Sequence, residues 1–139
     1  MDEEESSPKR EVVARESRDY KKLDDKRALY KEVGQKYGID WKIIEAIHQV
    51  ETGKSEGGCT KSYAGAVGPM QFMPDTWKRY GIDGDGDGKA DTCDMEDAVW
   101  SAGNYLKANM SEGLDKAIWH YNHSWEYVAK VKAIAKSIK

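Results

Sequence analysis

Two sets of carboxylates in this sequence could do chemistry, and they are built in opposite ways. One is a cluster. The run Asp83-Gly84-Asp85-Gly86-Asp87-Gly88-Lys89-Ala90-Asp91-Thr92-Cys93-Asp94 holds five aspartates in twelve residues. Counted from Asp83, the acids Asp83, Asp85, Asp87, Asp91 and Asp94 fall at the ligand positions 1, 3, 5, 9 and 12 of a calcium loop. Gly88 stands at position 6, where such a loop turns sharply, and Lys89 at position 7 offers its carbonyl oxygen. Without a cation these acids repel one another. Oxygen-only ligands select a hard ion, and their number favours Ca²⁺ over Mg²⁺. Asp94 replaces the usual bidentate Glu, and its shorter arm weakens the site. A solvated Asp-Gly turn is the plain alternative; the match at every ligand position favours calcium, in a structural role.

The other is a single residue. Glu51 comes seven residues after Ile44 and four after Ile47, so on a helix it projects from the apolar side. A carboxyl there is partly desolvated, which keeps it protonated closer to neutrality, as a general acid requires. By position alone, a frayed terminal Glu turned to solvent is the alternative.

The elements that must carry these groups read as helices. From Asp24, the residues Leu29, Val33 and Tyr37 recur at helical spacing until Gly38 stops the run. Asp40 caps a second helix with Trp41, Ile43, Ile44, Ile47 and Val50 on its apolar side. Residues 53–69 read as a Gly- and Ser-rich loop. Pro74 opens a short helix through Tyr80, leading into the acidic run. Asp94 caps the next helix, whose first turn carries Glu96 and Asp97 and whose inner stripe is Val99, Ala102, Gly103 and Leu106. Two more helices span about 111–121 and 124–138, with Trp119 and Trp125 expected among the core aromatics. Residues 1–23, beginning MDEEESSPKR, read as a charged, disordered leader, and 24–139 as one compact all-helical domain.

Composition narrows the classes. The chain has 139 residues with a net charge of −3, enough for one core and without the basic excess of a nucleic-acid binder. No apolar run is long enough to span a membrane. The two cysteines, Cys59 and Cys93, lack the spacing of a zinc or redox motif. They are buried thiols in a reducing compartment, or a disulfide if the protein is exported. A bridge between them would be worth roughly 3–4 kcal/mol.

The order of motifs is more specific. Val50-Glu51-Thr52-Gly53 is followed by Ser62-Tyr63-Ala64-Gly65-Ala66-Val67-Gly68-Pro69-Met70-Gln71-Phe72-Met73-Pro74, then the acidic loop. Asp97-Ala98-Val99 through Asn104-Tyr105-Leu106 comes next, and Tyr121-Asn122-His123-Ser124-Trp125-Glu126-Tyr127-Val128 last. Over about 39–131 this order resembles the lytic transglycosylases of the lysozyme-like superfamily, most of all the membrane-bound lytic transglycosylase B group with its EF-hand-like loop. The resemblance implies a lysozyme-like helical fold with that loop inserted. It implies that Glu51 is the single catalytic acid/base and that Ser62 hydrogen-bonds and orients it. It also implies that Gln71 and Asn122 bind substrate through their amides, and that Tyr105, Tyr121 and Tyr127 line the sugar groove. Thr52 departs from the commoner Ser but keeps a hydroxyl, and Pro69-Met70-Gln71 replaces a Gly-Leu-Met-Gln form.

The implied reaction cuts the β-1,4 bond between N-acetylmuramic acid and N-acetylglucosamine in peptidoglycan and leaves a 1,6-anhydro end. The implied setting is the cell wall or periplasm, with glycan strands as partner, no membrane contact by this domain and a monomeric state. A hydrolytic muramidase of goose-lysozyme type shares the substrate but uses water. A wall-binding module without activity and a calcium sensor are further alternatives. A sensor usually pairs two EF-hands, and one loop is present here. Should water prove the acceptor, the missing second carboxylate would be sought among Glu56, Asp75 and Asp97.

Overall fold

A computed structural model describes residues 23–139, and the charged leader expected over 1–23 lies almost wholly outside the described residues. Six helices follow one another: α1 (Leu23–Tyr37), α2 (Trp41–Thr52), α3 (Pro74–Tyr80), α4 (Met95–Ala108), α5 (Leu114–Asn122) and α6 (Trp125–Ser137). The caps expected at Asp40 and Asp94 are in place: Asp40 accepts from the Lys42 amide and Asp94 from the Asp97 amide. Ser124, not anticipated as a cap, accepts from the Tyr127 amide. Each satisfies an amide the first turn leaves unpaired. The fifth helix starts later than its expected position near 111, because Gly113 takes a left-handed φ of 96° at its N-cap.

Helix α2 is the central post. It packs on α1, α4 and α6, while α5 packs on α4 and α6. Ile44 and Ile47 of α2 are fully buried among Leu29 and Val33 of α1 and Val99 and Leu106 of α4. Burying each such side chain contributes about 1.5–3 kcal/mol. Trp100 joins this core, but Trp125 is 57% exposed, contrary to the expectation from its apolar type. As the first residue of α6 it has no preceding turn to cover it.

Between α2 and α3 the chain forms no strand. It is folded by the isolated bridges Lys61 to Val67, Val67 to Phe72 and Gly57 to Asp94. Gly68 is required here: its φ is 86°, and a Cβ would stand 2.0 Å from the Thr92 carbonyl oxygen. The Cys59–Cys93 disulfide joins the same two segments. Loop 53–73 and the acidic run are therefore fastened together beside the end of α2. No described helix is long and apolar enough to cross a membrane.

Candidate active site

Glu51 lies in the last turn of α2, which ends at Gly53 in the left-handed region, φ 68°. Thr52 fixes the exit. Its hydroxyl donates to the Pro69 carbonyl at 2.7 Å and accepts from the Ser55 amide at 3.2 Å. The turn after Glu51 is thus tied to the loop that forms the opposite wall. The hydroxyl that Thr52 retains is used to hold this turn.

One hydrogen bond holds the Glu51 carboxyl: the Tyr127 hydroxyl donates to Oε2 at 2.6 Å. Tyr127, expected to line the groove, is 7% exposed and is not among the residues lining the cleft. Burial pushes the Glu51 pKa above the ordinary carboxylate value, against the lowering effects of the Tyr127 bond and of Lys130. The Tyr127 and Tyr121 hydroxyls are pushed well above the usual phenol range, first by burial and then by the Glu51 charge. Both stay neutral.

Glu51 opens into a cleft of about 440 Å³ shared with Ser62, Gln71, Tyr105, Tyr121 and Asn122, within the size range of small-ligand sites. Five of the residues expected near the acid therefore do meet there. Their hydrogen bonds differ from expectation. The Ser62 hydroxyl accepts from the Ala66 amide at 3.0 Å and so shapes its own loop. Gln71 spends its amide donors on the carbonyls of Thr60 and Gly68 at 3.0 and 2.9 Å, leaving its oxygen for a donor in the cleft. The tyrosine hydroxyls are not free for sugar, because Tyr105 donates to the His120 carbonyl and Tyr121 to the Met70 carbonyl. What these rings offer is shape: Phe72, Tyr105 and Tyr121 pack edge to face or tilted, with centroids 5.7–6.3 Å apart.

Sequence reasoning did not single out Met73, Thr76, His120 or His123, which also line the cleft. Among the described residues Glu51 is the only carboxylate on its wall. Glu56 is paired with Lys26 at 2.9 Å, Asp97 is enclosed by the acidic loop, and Asp75 sits in the exposed first turn of α3.

The acidic loop gathers a different set of oxygens from the one expected. Carboxylates of Asp83, Asp85, Asp87 and Asp97 bring one atom each within 4.8 Å of one another. The Asp91 and Asp94 carboxylates are not in this group. Asp94 is occupied as the α4 cap, and Asp91 accepts from the Cys93 amide. Asp97, fully buried, folds back from α4 to accept from the amides of Gly84, Asp85 and Asp91. Burial and neighbouring negative charge push the Asp97 carboxyl up to about 7 and Asp85 up to about 6. A hard cation would relieve that cost, so the oxygen set fits one. Asp97 carried no spacing signal, because it lies beyond the twelve-residue pattern.

The comparisons with known proteins bear on fold and class. Residues 53–115 match the family model of the Transglycosylase SLT domain. The helical architecture superposes on Escherichia coli lytic transglycosylase Slt35, solved in complex with calcium. The TM-score is 0.71 at 18% identity, over 81% of this chain and 70% of that one. It also superposes on SltB3 from Pseudomonas aeruginosa, solved in complex with NAG-NAM-pentapeptide. There the TM-score is 0.73 at 20% identity, over 83% and 61% of the two chains. The fold is that of the lytic transglycosylases. More particularly, the chain is similar to the membrane-bound lytic murein transglycosylase B of Escherichia coli (strain K12), 48% identical over 48 residues. Those residues are 34% of this chain, and the match spans 13% of the relative's length.

Proposed function

We propose that this chain is a peptidoglycan lytic transglycosylase that cleaves the β-1,4 bond between N-acetylmuramic acid and N-acetylglucosamine. The observation that carries the reading is a solitary, desolvated carboxyl, Glu51, in a cleft otherwise walled by neutral side chains and two histidines. Glu51 gives its proton to the glycosidic oxygen as the bond from that oxygen to C1 breaks. The muramic acetamido group relieves the charge at C1, and a second carboxylate is then unnecessary. The Glu51 carboxylate next takes the proton of the C6 hydroxyl, whose oxygen closes on C1. The proton returns to Glu51, and a 1,6-anhydro end leaves without water entering. Ser62, Gln71, Tyr105, Tyr121 and Asn122 hold the sugars, and Tyr127 orients the acid.

Mass spectrometry of peptidoglycan digested in heavy-oxygen water tests this. Muramic acid ends should be unlabelled and about 18 Da lighter than hydrolysed ends, one water having been withheld. Labelled reducing ends would make the enzyme a muramidase, with His120 and His123 the first groups to examine as the base for water. No soluble fragments at all would favour a wall-binding module.

We also propose that the acidic loop holds structural calcium. The ligand spacing, the four converging carboxylates and the calcium complex of Slt35 support this. Asp83, Asp85, Asp87 and Asp97 supply the converging oxygens, and the Lys89 carbonyl, Asp91 and Asp94 stand at the remaining loop positions. An ion bound only to the folded state stabilises it by mass action. Chelation should lower the melting temperature, and Asp83→Ala should reproduce the loss. An unchanged melting curve after verified metal removal would refute the assignment. The same reading puts the protein outside the cytoplasm as a monomer acting on glycan strands, a setting in which the Cys59–Cys93 bridge persists.

A further inference from the structure

The aromatic surface continues beyond the lining of the cleft. His120 and His123 form part of that lining. Behind them lies the Trp119 ring, 5.2 Å from His120 and 4.6 Å from His123 between centroids. Trp125 stacks on Trp119 with centroids 6.1 Å apart and planes 30° apart. The Lys116 ammonium sits 3.9 Å from the Trp119 centroid and 5.9 Å from that of Trp125. Trp119 is thus wedged between a cation, a histidine and a second indole, while Trp125 keeps 57% of its surface open.

Trp125, backed by this fixed Trp119 ring, has less freedom left for binding to remove than an unsupported indole, so its open side is pre-organised for a flat partner. The polar surroundings narrow the partner's chemistry. Lys116 and His123 flank the indole pair, and the other large exposed apolar residues described are Leu23, Tyr63 and Met73, on other segments. A lone ring in a polar setting does not make the continuous apolar stripe that a partner helix needs. It does match a pyranose, which has one flat C–H face and a rim of hydroxyl and acetamido groups. The placement fits too, since the platform joins the cleft through the two histidines.

We propose that Trp125 is an outer sugar-stacking subsite, beyond the histidine rim, that lengthens the stretch of glycan strand the cleft can hold. The proposal rests on the reading of the cleft as a glycan site. It takes as ligand a β-1,4-linked N-acetylhexosamine chain.

The test is a binding measurement on the Glu51→Gln protein, which removes turnover from the readout. Calorimetric titration would use the trimer and hexamer of β-1,4-linked N-acetylglucosamine. The hexamer should bind more tightly than the trimer. Trp125→Ala should weaken hexamer binding about tenfold while weakening the trimer much less, and Trp125→Tyr should restore most of the loss. Equal loss for both lengths, no loss for the hexamer, or no binding of the hexamer at all would overturn the platform. The reaction is judged separately. Anhydro ends from the Trp125→Ala enzyme, with no length-dependent loss of affinity, would leave the transglycosylase reading standing and remove the subsite. A length-dependent loss in a protein that never cuts peptidoglycan would do the reverse.

Discussion

Glu45 and Glu51 stand six residues apart on the same helix and are held in opposite states. Glu45 is fully buried, yet its pKa lies below the ordinary value. Burial raises it, but the bonds from Arg27 at 3.0 and 3.3 Å and from Lys54 outweigh burial. The Glu51 pKa is raised by burial, and the lowering effects of the Tyr127 phenol bond and of Lys130 do not outweigh it. Burial raises both carboxyls, and the two cationic partners at Glu45 reverse that effect where one phenol and the charge of Lys130 at Glu51 do not. The aspartates of the acidic loop are a third case, in which backbone amides and one another are the partners. Of the two glutamates, Glu51 is the one whose pKa is raised, and it faces the cleft it shares with Gln71 and Asn122.

The largest expected effect breaks the Glu51 half of this comparison. Glu51→Gln keeps the shape but cannot act as an acid, so peptidoglycan cleavage should fall by at least about a hundredfold, the low end of what general acid catalysis supplies. The melting temperature should barely move. Retained turnover in a digest assay would exclude Glu51 as the acid. The contrasting change is Glu45→Gln. It leaves Arg27 and Lys54 facing a neutral amide, but their side chains are 27% and 19% exposed and keep some solvent. A cost of about 3 kcal/mol is expected, the low end for breaking a buried pair. Denaturant unfolding measures it. A loss of activity without loss of stability would mean that Glu45 acts in the chemistry and would undo the contrast.

Between the two acids lies His48, fully buried, with its Nδ1 2.8 Å from the Tyr30 hydroxyl and its Nε2 2.9 Å from the Ser55 carbonyl. Burial, then the charges of Lys26 and Lys54, push its pKa down to about 4, although the Ser55 contact and Glu45 oppose this. The folded protein therefore binds fewer protons here than the unfolded chain does between the ordinary value of 6.5 and about 4. Its contribution is present above that window and is lost as pH falls through it, by an amount on the order of 3 kcal/mol. Unfolding free energies at pH 7 and pH 4.5 should differ in this direction, and His48→Gln should flatten the slope. A slope unchanged in the variant would assign the acid sensitivity to other groups.

What could be read from the sequence was local. The stop at Gly38, the caps at Asp40 and Asp94, the apolar register of α2 and the Asp spacing from Asp83 depend on neighbours a few residues away. These marked out all six helices, the face Glu51 occupies and the loop's turn. What could not be read depends on distant partners. Tyr127 meets Glu51 across 76 residues, Lys26 meets Glu56 across 30 and Arg27 meets Glu45 across 18. No periodicity encodes such pairs. The same limit hid the return of Asp97 into the loop and the internal use of the Tyr105 and Tyr121 hydroxyls, whose acceptors are backbone carbonyls. Trp125 was misread because its apolar type suggests burial, while its place at a helix start leaves it uncovered.

The smallest expected effect sharpens the comparison. Among the described residues Tyr127 is the only group hydrogen-bonded to the Glu51 carboxyl, and its donated bond favours the ionised form. Its removal should therefore raise the Glu51 pKa further. A general acid works while protonated, so the alkaline limb of kcat/KM should move to higher pH in Tyr127→Phe. One hydrogen bond to a charged group is worth about 1.5 kcal/mol at the low end, or roughly one pH unit. Stability should fall by about 1 kcal/mol, because the buried ring remains and only its hydroxyl is lost. The rate at the optimum should also drop, since the carboxyl loses the contact that fixes its rotamer. A limb that stays in place would mean Tyr127 merely packs. A limb that moves to lower pH would mean that the phenol favours the protonated acid, accepting from it instead of donating, and that burial alone keeps Glu51 different from Glu45.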